Sequence, residues 1–83
     1  MKLGFVGIII EGDRAVASSV QSILAEYGDL IVGRMGLPDT THNVFMITVG
    51  VKGSQERISA LSGKLGRIKG VKVKSAVSDL NVE

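Results

Sequence analysis

Cysteine is absent from the 83 residues, and with it go disulfides, thiolate metal sites and thiol nucleophiles. Nothing in that absence fixes the compartment, and the thiol-reducing cytoplasm is the default expectation. Tryptophan is also absent, and one tyrosine and two phenylalanines are all the aromatic residues there are. A single histidine, His42, has no thiol partner, and one imidazole is not a coordination sphere, so no metal site is expected within one chain. No apolar run approaches the ~20 residues of a membrane span, and the N-terminus lacks a signal-peptide cleavage pattern. Neither a GxGxxG nor a Walker-type loop is present, and no pair of carboxylates is spaced for acid/base work. Four serines of the helical segments, Ser18, Ser19, Ser59 and Ser62, have no base near them in sequence. Catalytic residues and cofactors are therefore not expected. The net charge of +2 is too small by itself to imply a nucleic-acid partner.

What is present is aliphatic, with 45% of residues hydrophobic in a chain of one-domain length, taken as residues 1–83. A chain of this size buries only roughly 60–65% of its unfolded surface, so its core is small and a partner is useful to it. The segment Asn43 to Lys52 is one long apolar run in which neither alternate set of positions is polar. A strand with one wet face alternates; this one reads as covered on both sides. Leu3 to Ile10 is a second such run, with Leu3, Phe5 and Ile9 on one side and Val6, Ile8 and Ile10 on the other. Gly4 and Gly7 interrupt it and allow close backbone approach.

Between these runs, Arg14 to Tyr27 carries Val16, Val20, Ile23, Leu24 and Tyr27 at helical spacing. Asp13 stands where an N-cap belongs and Gly28 where a left-handed C-cap belongs. Leu30 to Leu37 reads as a shorter strand, with Leu30, Val32 and Arg34 on one face and Ile31, Gly33 and Met35 on the other. Pro38 ends it or marks it as an edge. A polar turn, Pro38 to His42, leads into the long apolar run. Ser54 caps a second helix whose inner side is Ile58, Leu61, Leu65 and Ile68, ending at Gly66 or Gly70. Gly63 inside that helix costs about 1 kcal/mol relative to alanine, which suggests a sheet backbone drawn close to it. Val71 to Val77 alternates, valines in and lysines out, as a guarded edge strand does, and Ser78 to Glu83 is expected to fray.

The order βαββαβ is that of the ferredoxin-like α+β fold: a four-stranded antiparallel sheet, strand order 4-1-3-2, with two helices on one face. Its central strands are the two runs read as apolar on both sides. The face without helices then shows Leu3, Phe5, Ile9, Leu30, Val32, Val44 and Met46, with Thr48 among them. An apolar patch of roughly 500 Å² is at the upper limit for a monomer. Its burial is worth on the order of 10 kcal/mol gross, against association costs of about 4–15 kcal/mol. A homodimer or homotetramer built on this face is the expectation, with Leu3, Phe5, Ile9, Val32, Val44 and Met46 as interface residues.

Glu11-Gly12-Asp13, at a strand-to-helix turn, is the candidate ligand site, since free N–H groups at a helix N-terminus suit a carboxylate or phosphate. Simple capping by Asp13 is the competing reading. Lys64, Arg67, Lys69, Lys72 and Lys74 form a basic segment that suits solvated surface, an acidic partner or RNA. An RNA-recognition sheet would need exposed aromatics on one face, but Phe5 and Phe45 fall on opposite faces.

The run Ala60-Leu61-Ser62-Gly63-Lys64-Leu65-Gly66, continuing to Lys74, resembles the small ACT-like family of iron-only hydrogenase system regulators. The likeness extends through Ile9-Ile10-Glu11, the first helix and Arg34-Met35-Gly36-Leu37-Pro38. That family is similar to the C-terminal domain of nickel-responsive repressors, which assembles through its sheets. His42-Asn43-Val44-Phe45 looks like the segment that bears a nickel-ligating cysteine there, with Val44 in its place. The resemblance thus implies fold and assembly and argues against a nickel site. ACT domains often bind amino acids between subunits at the turn before the first helix. Gly12 matches the glycine usual in that turn, and Glu11 and Asp13 flank it. The resemblance implies an oligomeric regulatory domain that senses a small ligand at a subunit interface, in an iron-only hydrogenase system. A protein-interaction module without a small ligand, or an RNA binder using residues 64–74, are the alternatives.

Overall fold

The computed structural model describes residues 1–79. The chain runs β1 (Lys2–Glu11), α1 (Arg14–Glu26), β2 (Ile31–Asp39), β3 (Val44–Gly53), α2 (Gln55–Gly66) and β4 (Val71–Asp79). All neighbouring strands pair antiparallel, in the order β2-β3-β1-β4. The two runs that are apolar on both sides are the two inner strands, as the ferredoxin-like expectation requires.

The core lies between sheet and helices. Val6, Ile8 and Ile10 of β1 and Ile47, Val49 and Val51 of β3 face Val20 and Leu24 of α1 and Ile58, Leu61 and Leu65 of α2. Both helices start as their sequences dictate. Asp13 accepts hydrogen bonds from the Ala15 and Val16 amides, and the Ser54 hydroxyl accepts one from Arg57. Val71, Val73 and Val77 of β4 turn inward, and Lys72 and Lys74 outward.

Four expectations need correction. Leu30 is buried in the core, not on the open face. Its side chain lies against Gly53, and its carbonyl accepts from Lys52 before β2 begins. A register shift between Ile31 and Gly33 then resets the alternation of β2. The open face of that strand consequently carries Val32, Met35 and Leu37, while Arg34 turns back to donate to Gln21 on α1 at 2.8 Å. Gly28 is not left-handed; α1 ends at Tyr27, with φ −109° and ψ 24°, and the left-handed glycines among the described residues are Gly12 and Gly70. Pro38 lies inside β2 and β2 is an edge strand, the second of the two readings its sequence allowed, so no correction is needed there. Ser78 and Asp79 pair with Leu3 and Lys2 instead of fraying; residues 80–83 lie outside the described residues.

The fourth correction concerns Gly63. Beyond the backbone of its own helix, nothing lies within 4 Å of where its Cβ would stand, so no sheet backbone approaches it. Its cost to α2 is uncompensated. Gly63→Ala is therefore expected to stabilise the fold by about 0.5–1 kcal/mol. A thermal melt should show this as a rise of several degrees, since ~1 kcal/mol moves the Tm of a domain this size by about 4–8 °C.

Candidate functional site

The C-terminal end of β1 is shaped by two glycines. Gly12 has φ 135° and carries the chain from β1 into α1. Gly70, with φ 91°, brings the α2–β4 turn against it, and the Gly70 carbonyl accepts from the Glu11 amide at 2.7 Å. Across from this turn stands the β2–β3 connection, ordered by Asp39. Its carboxylate accepts from the Thr41 and His42 amides and contacts His42 Nδ1 at 3.0 Å. The His42 ring, then the His42 amide, hold the Asp39 carboxyl below its ordinary pKa; burial opposes them, and the Thr41 amide adds the least. Asn43 closes the turn in the left-handed region, φ 55°.

A cavity of about 390 Å³ separates the two turns. Gly12, Asp13 and Arg14 line one wall, and Pro38, Asp39 and Asn43 the other; Ile10, Val44 and Phe45 supply apolar surface. The Asp13 carboxylate is partly spent on its own helix, at 3.0 and 3.3 Å from the Ala15 and Val16 amides. Arg14 offers a cation, while Asp39 and Asp13 offer anions. Such an arrangement suits a small molecule with both charges and an apolar body.

The three residues singled out in the sequence separate. Gly12 and Asp13 line the cavity, but Glu11 lies on the open sheet face, 3.3 Å from Lys72. Arg14, next to Asp13, joins the first wall, while Asp39, Asn43 and Phe45 come from a turn and strand some thirty residues away, whose nearness to Gly12 no local pattern shows. Of the proposed interface residues, Leu3, Phe5, Ile9, Val32 and Met46 are exposed and Val44 is half-buried. Among the described residues no three His, Cys, Asp or Glu side chains are grouped to hold a metal ion.

The basic segment is divided between surfaces. Lys64 reaches Glu26 at 2.6 Å and raises its own pKa by that bond first. Its ammonium and the Arg57 guanidinium lie 5.2 and 5.6 Å from the centre of the Tyr27 ring. Arg57 also forks onto Asp29, whose pKa it lowers. These pairs tie α2 to the end of α1, whereas Lys72 and Lys74 stand on the sheet. No single stripe for RNA results.

The family profile described as "TM1266-like: Iron-only hydrogenase system regulator, putative" matches residues 2–75. The chain belongs to this family. The uncharacterized protein TM1266 from Thermotoga maritima is 31% identical, with 95% of this chain and 100% of that one aligned at a TM-score of 0.90. The ACT domain from the GTP pyrophosphokinase of Chlorobium tepidum shares the fold at 17% identity, covering 98% of this chain and 91% of that one, TM-score 0.71. A nitrogen regulatory PII-like protein from Thiomonas intermedia K12, bound to ADP, AMP and bicarbonate, does so at 19% identity, covering 96% and 93%, TM-score 0.59. No curated protein sequence matches. Family membership supports a regulatory role, and no catalytic family is indicated. No helix among the described residues is long and apolar enough to cross a membrane.

Proposed function

We propose that this protein is an oligomeric regulatory domain of the iron-only hydrogenase system that senses a small amphoteric ligand of the amino-acid class. The cavity between the β1–α1 and β2–β3 turns carries the reading. It has the volume for such a ligand, a cation at Arg14, an ionised acceptor at Asp39 and an apolar floor. The open face of the sheet is the assembly surface. The ligand acts by binding one packing of the subunits better than another, since only differential affinity shifts such an equilibrium.

A thermal-shift series over the amino acids tests it. A bound ligand stabilises by RT ln(1 + [L]/Kd), about 2.7 kcal/mol at a hundredfold excess over Kd. One amino acid or a small chemical group of them should raise Tm progressively with concentration, and Arg14→Ala should lose the response. A flat Tm across the whole series at millimolar concentration sinks the sensing role. It leaves the protein-interaction module, for which the exposed apolar face is the supporting observation.

A further inference from the structure

Cross-strand pairing sets the side chains of the open face in rows. Phe5 stands between Ala76 on β4 and Gly50 on β3, its Cα partners on either side. In the next row Gly7 stands between Lys74 and Thr48, with Met35 beyond, and in the row after it Ile9 stands between Lys72 and Met46, with Leu37 beyond. Phe5 is thus a knob, 56% exposed, flanked by residues with little or no side chain. Around its base runs a hollow of about 420 Å³, which reaches from Gly50 and Val32 on one side, past Leu3, to Ala76 and Ser78 on the other. A smaller one, about 250 Å³, lies over Gly7 with Lys72 and Lys74 at its rim.

Because β1 and β3 are the inner strands, the line between them is the midline of the four-stranded face. We propose that a second copy of this chain docks face to face about a two-fold axis along that line, seating each Phe5 ring in the hollow over the other copy's Gly50. This rests on the reading of the open face as the assembly surface and specifies how it is used. Knob and hollow are cross-strand partners, so one two-fold operation satisfies both at once; such reciprocity is what a closed dimer interface demands. The two rings lie side by side, about one strand spacing of ~4.8 Å apart, within the range of favourable aromatic pairs. The operation also lays Lys72 and Lys74 of one copy over Leu37 and Met35 of the other. Their stems cover apolar surface while their ammonium groups reach water at opposite edges. The hollow over Gly7 is the poorer seat for a ring, because burial there would strip water from two lysines. Four strands ~4.8 Å apart and about ten residues of ~3.3 Å give a face of roughly 600 Å² in projection. With its corrugation this approaches the ~800 Å² per partner of a standard stable interface.

Sedimentation equilibrium of the full chain, with far-UV dichroism to confirm folding, tests the proposal. Gly50→Leu fills the hollow; its Cβ meets only the exposed Val32 methyl at 3.3 Å and the Gly33 carbonyl oxygen at 3.9 Å, so the monomer accommodates it. Gly50→Leu and Phe5→Ala should each weaken dimerisation by roughly 30-fold or more, as central aromatic anchors do. Exchanging the partners, Phe5→Ala with Gly50→Phe, should restore association, and Phe5→Ala with Gly7→Phe should not. Restoration by the Gly7→Phe pair alone would overturn the axis proposed here. A parent chain sedimenting as 8.7 kDa material at every concentration would overturn the docking itself. The ligand response is read separately, as Tm in the parent chain, so the failure of one reading does not conceal the state of the other.

Discussion

Leu61→Ala should lower the unfolding free energy by about 3 kcal/mol, within the 2–5 kcal/mol range for truncating a buried leucine. Leu61 is fully buried, one of three residues by which α2 closes the core over the inner strands. The loss has two parts: the transfer free energy of the deleted atoms, and the cavity left where the surroundings cannot collapse. Collapse is limited here, because the core that Leu61 closes is built on a sheet whose register is set by two partners for each inner strand. A domain of this length has a stability of only roughly 4–12 kcal/mol, at 0.05–0.15 kcal/mol per residue. The substitution therefore removes a large fraction of it, and Tm should fall by roughly 12–24 °C. Chemical denaturation should show a lower midpoint at unchanged slope, since the surface exposed on unfolding hardly differs. A drop below about 1 kcal/mol would show that α2 packs more loosely on the sheet than its burial indicates.

The elements were legible because each carries its own period. Val20 and Leu24, Ile58, Leu61 and Leu65, and the doubly apolar strands announce their faces without reference to anything distant. Reading failed where alternation was assumed to continue through an irregularity. The shift between Ile31 and Gly33 reverses every side chain after it, so Met35 and Leu37 were missed on the open face and Leu30 was wrongly placed there. Gly33, at the shift, was the available signal, since an isolated glycine in a strand pattern often marks a bulge. Glycine proved ambiguous elsewhere. Gly63 and Gly28 sit at positions where a glycine commonly has a task, yet neither is left-handed and no sheet backbone crowds Gly63.

The cavity was legible only by half. Asp13 and Gly12 follow from the strand-to-helix turn, a local pattern. Asp39 and Asn43 belong to a turn whose nearness to Gly12 depends on the whole sheet, in which Glu11 pairs with Val44 and Asp39 with Val44 on its other side. The turn itself had a signature that could have been used: an aspartate followed by Thr40, Thr41 and His42, the pattern of a side chain capping its own downstream amides.

Gly70→Ala should be the most damaging of the glycine substitutions near the cavity, costing about 2–4 kcal/mol. Two effects combine. At φ 91° an L side chain is strained, by roughly 1–2 kcal/mol. In addition, a Cβ there would lie 2.5 Å from the Glu11 carbonyl oxygen, a backbone atom that cannot simply rotate away. To relieve the contact, the α2–β4 turn must part from the end of β1, which breaks the hydrogen bond from the Glu11 amide to the Gly70 carbonyl. That bond is worth about 1 kcal/mol net. Gly28→Ala provides the control. Its φ is not positive, and its Cβ would meet only the Ala25 carbonyl oxygen at 3.4 Å, so the cost should stay within about 0.5 kcal/mol. Because Glu11 leads directly into Gly12 and Asp13, Gly70→Ala should also displace one wall of the cavity. Below its lowered melting point it should therefore respond less to ligand than the parent chain, whereas Gly28→Ala should respond in full. Equal Tm values for the two variants would mean that the turn yields freely, and that the end of β1 is not held where the cavity needs it.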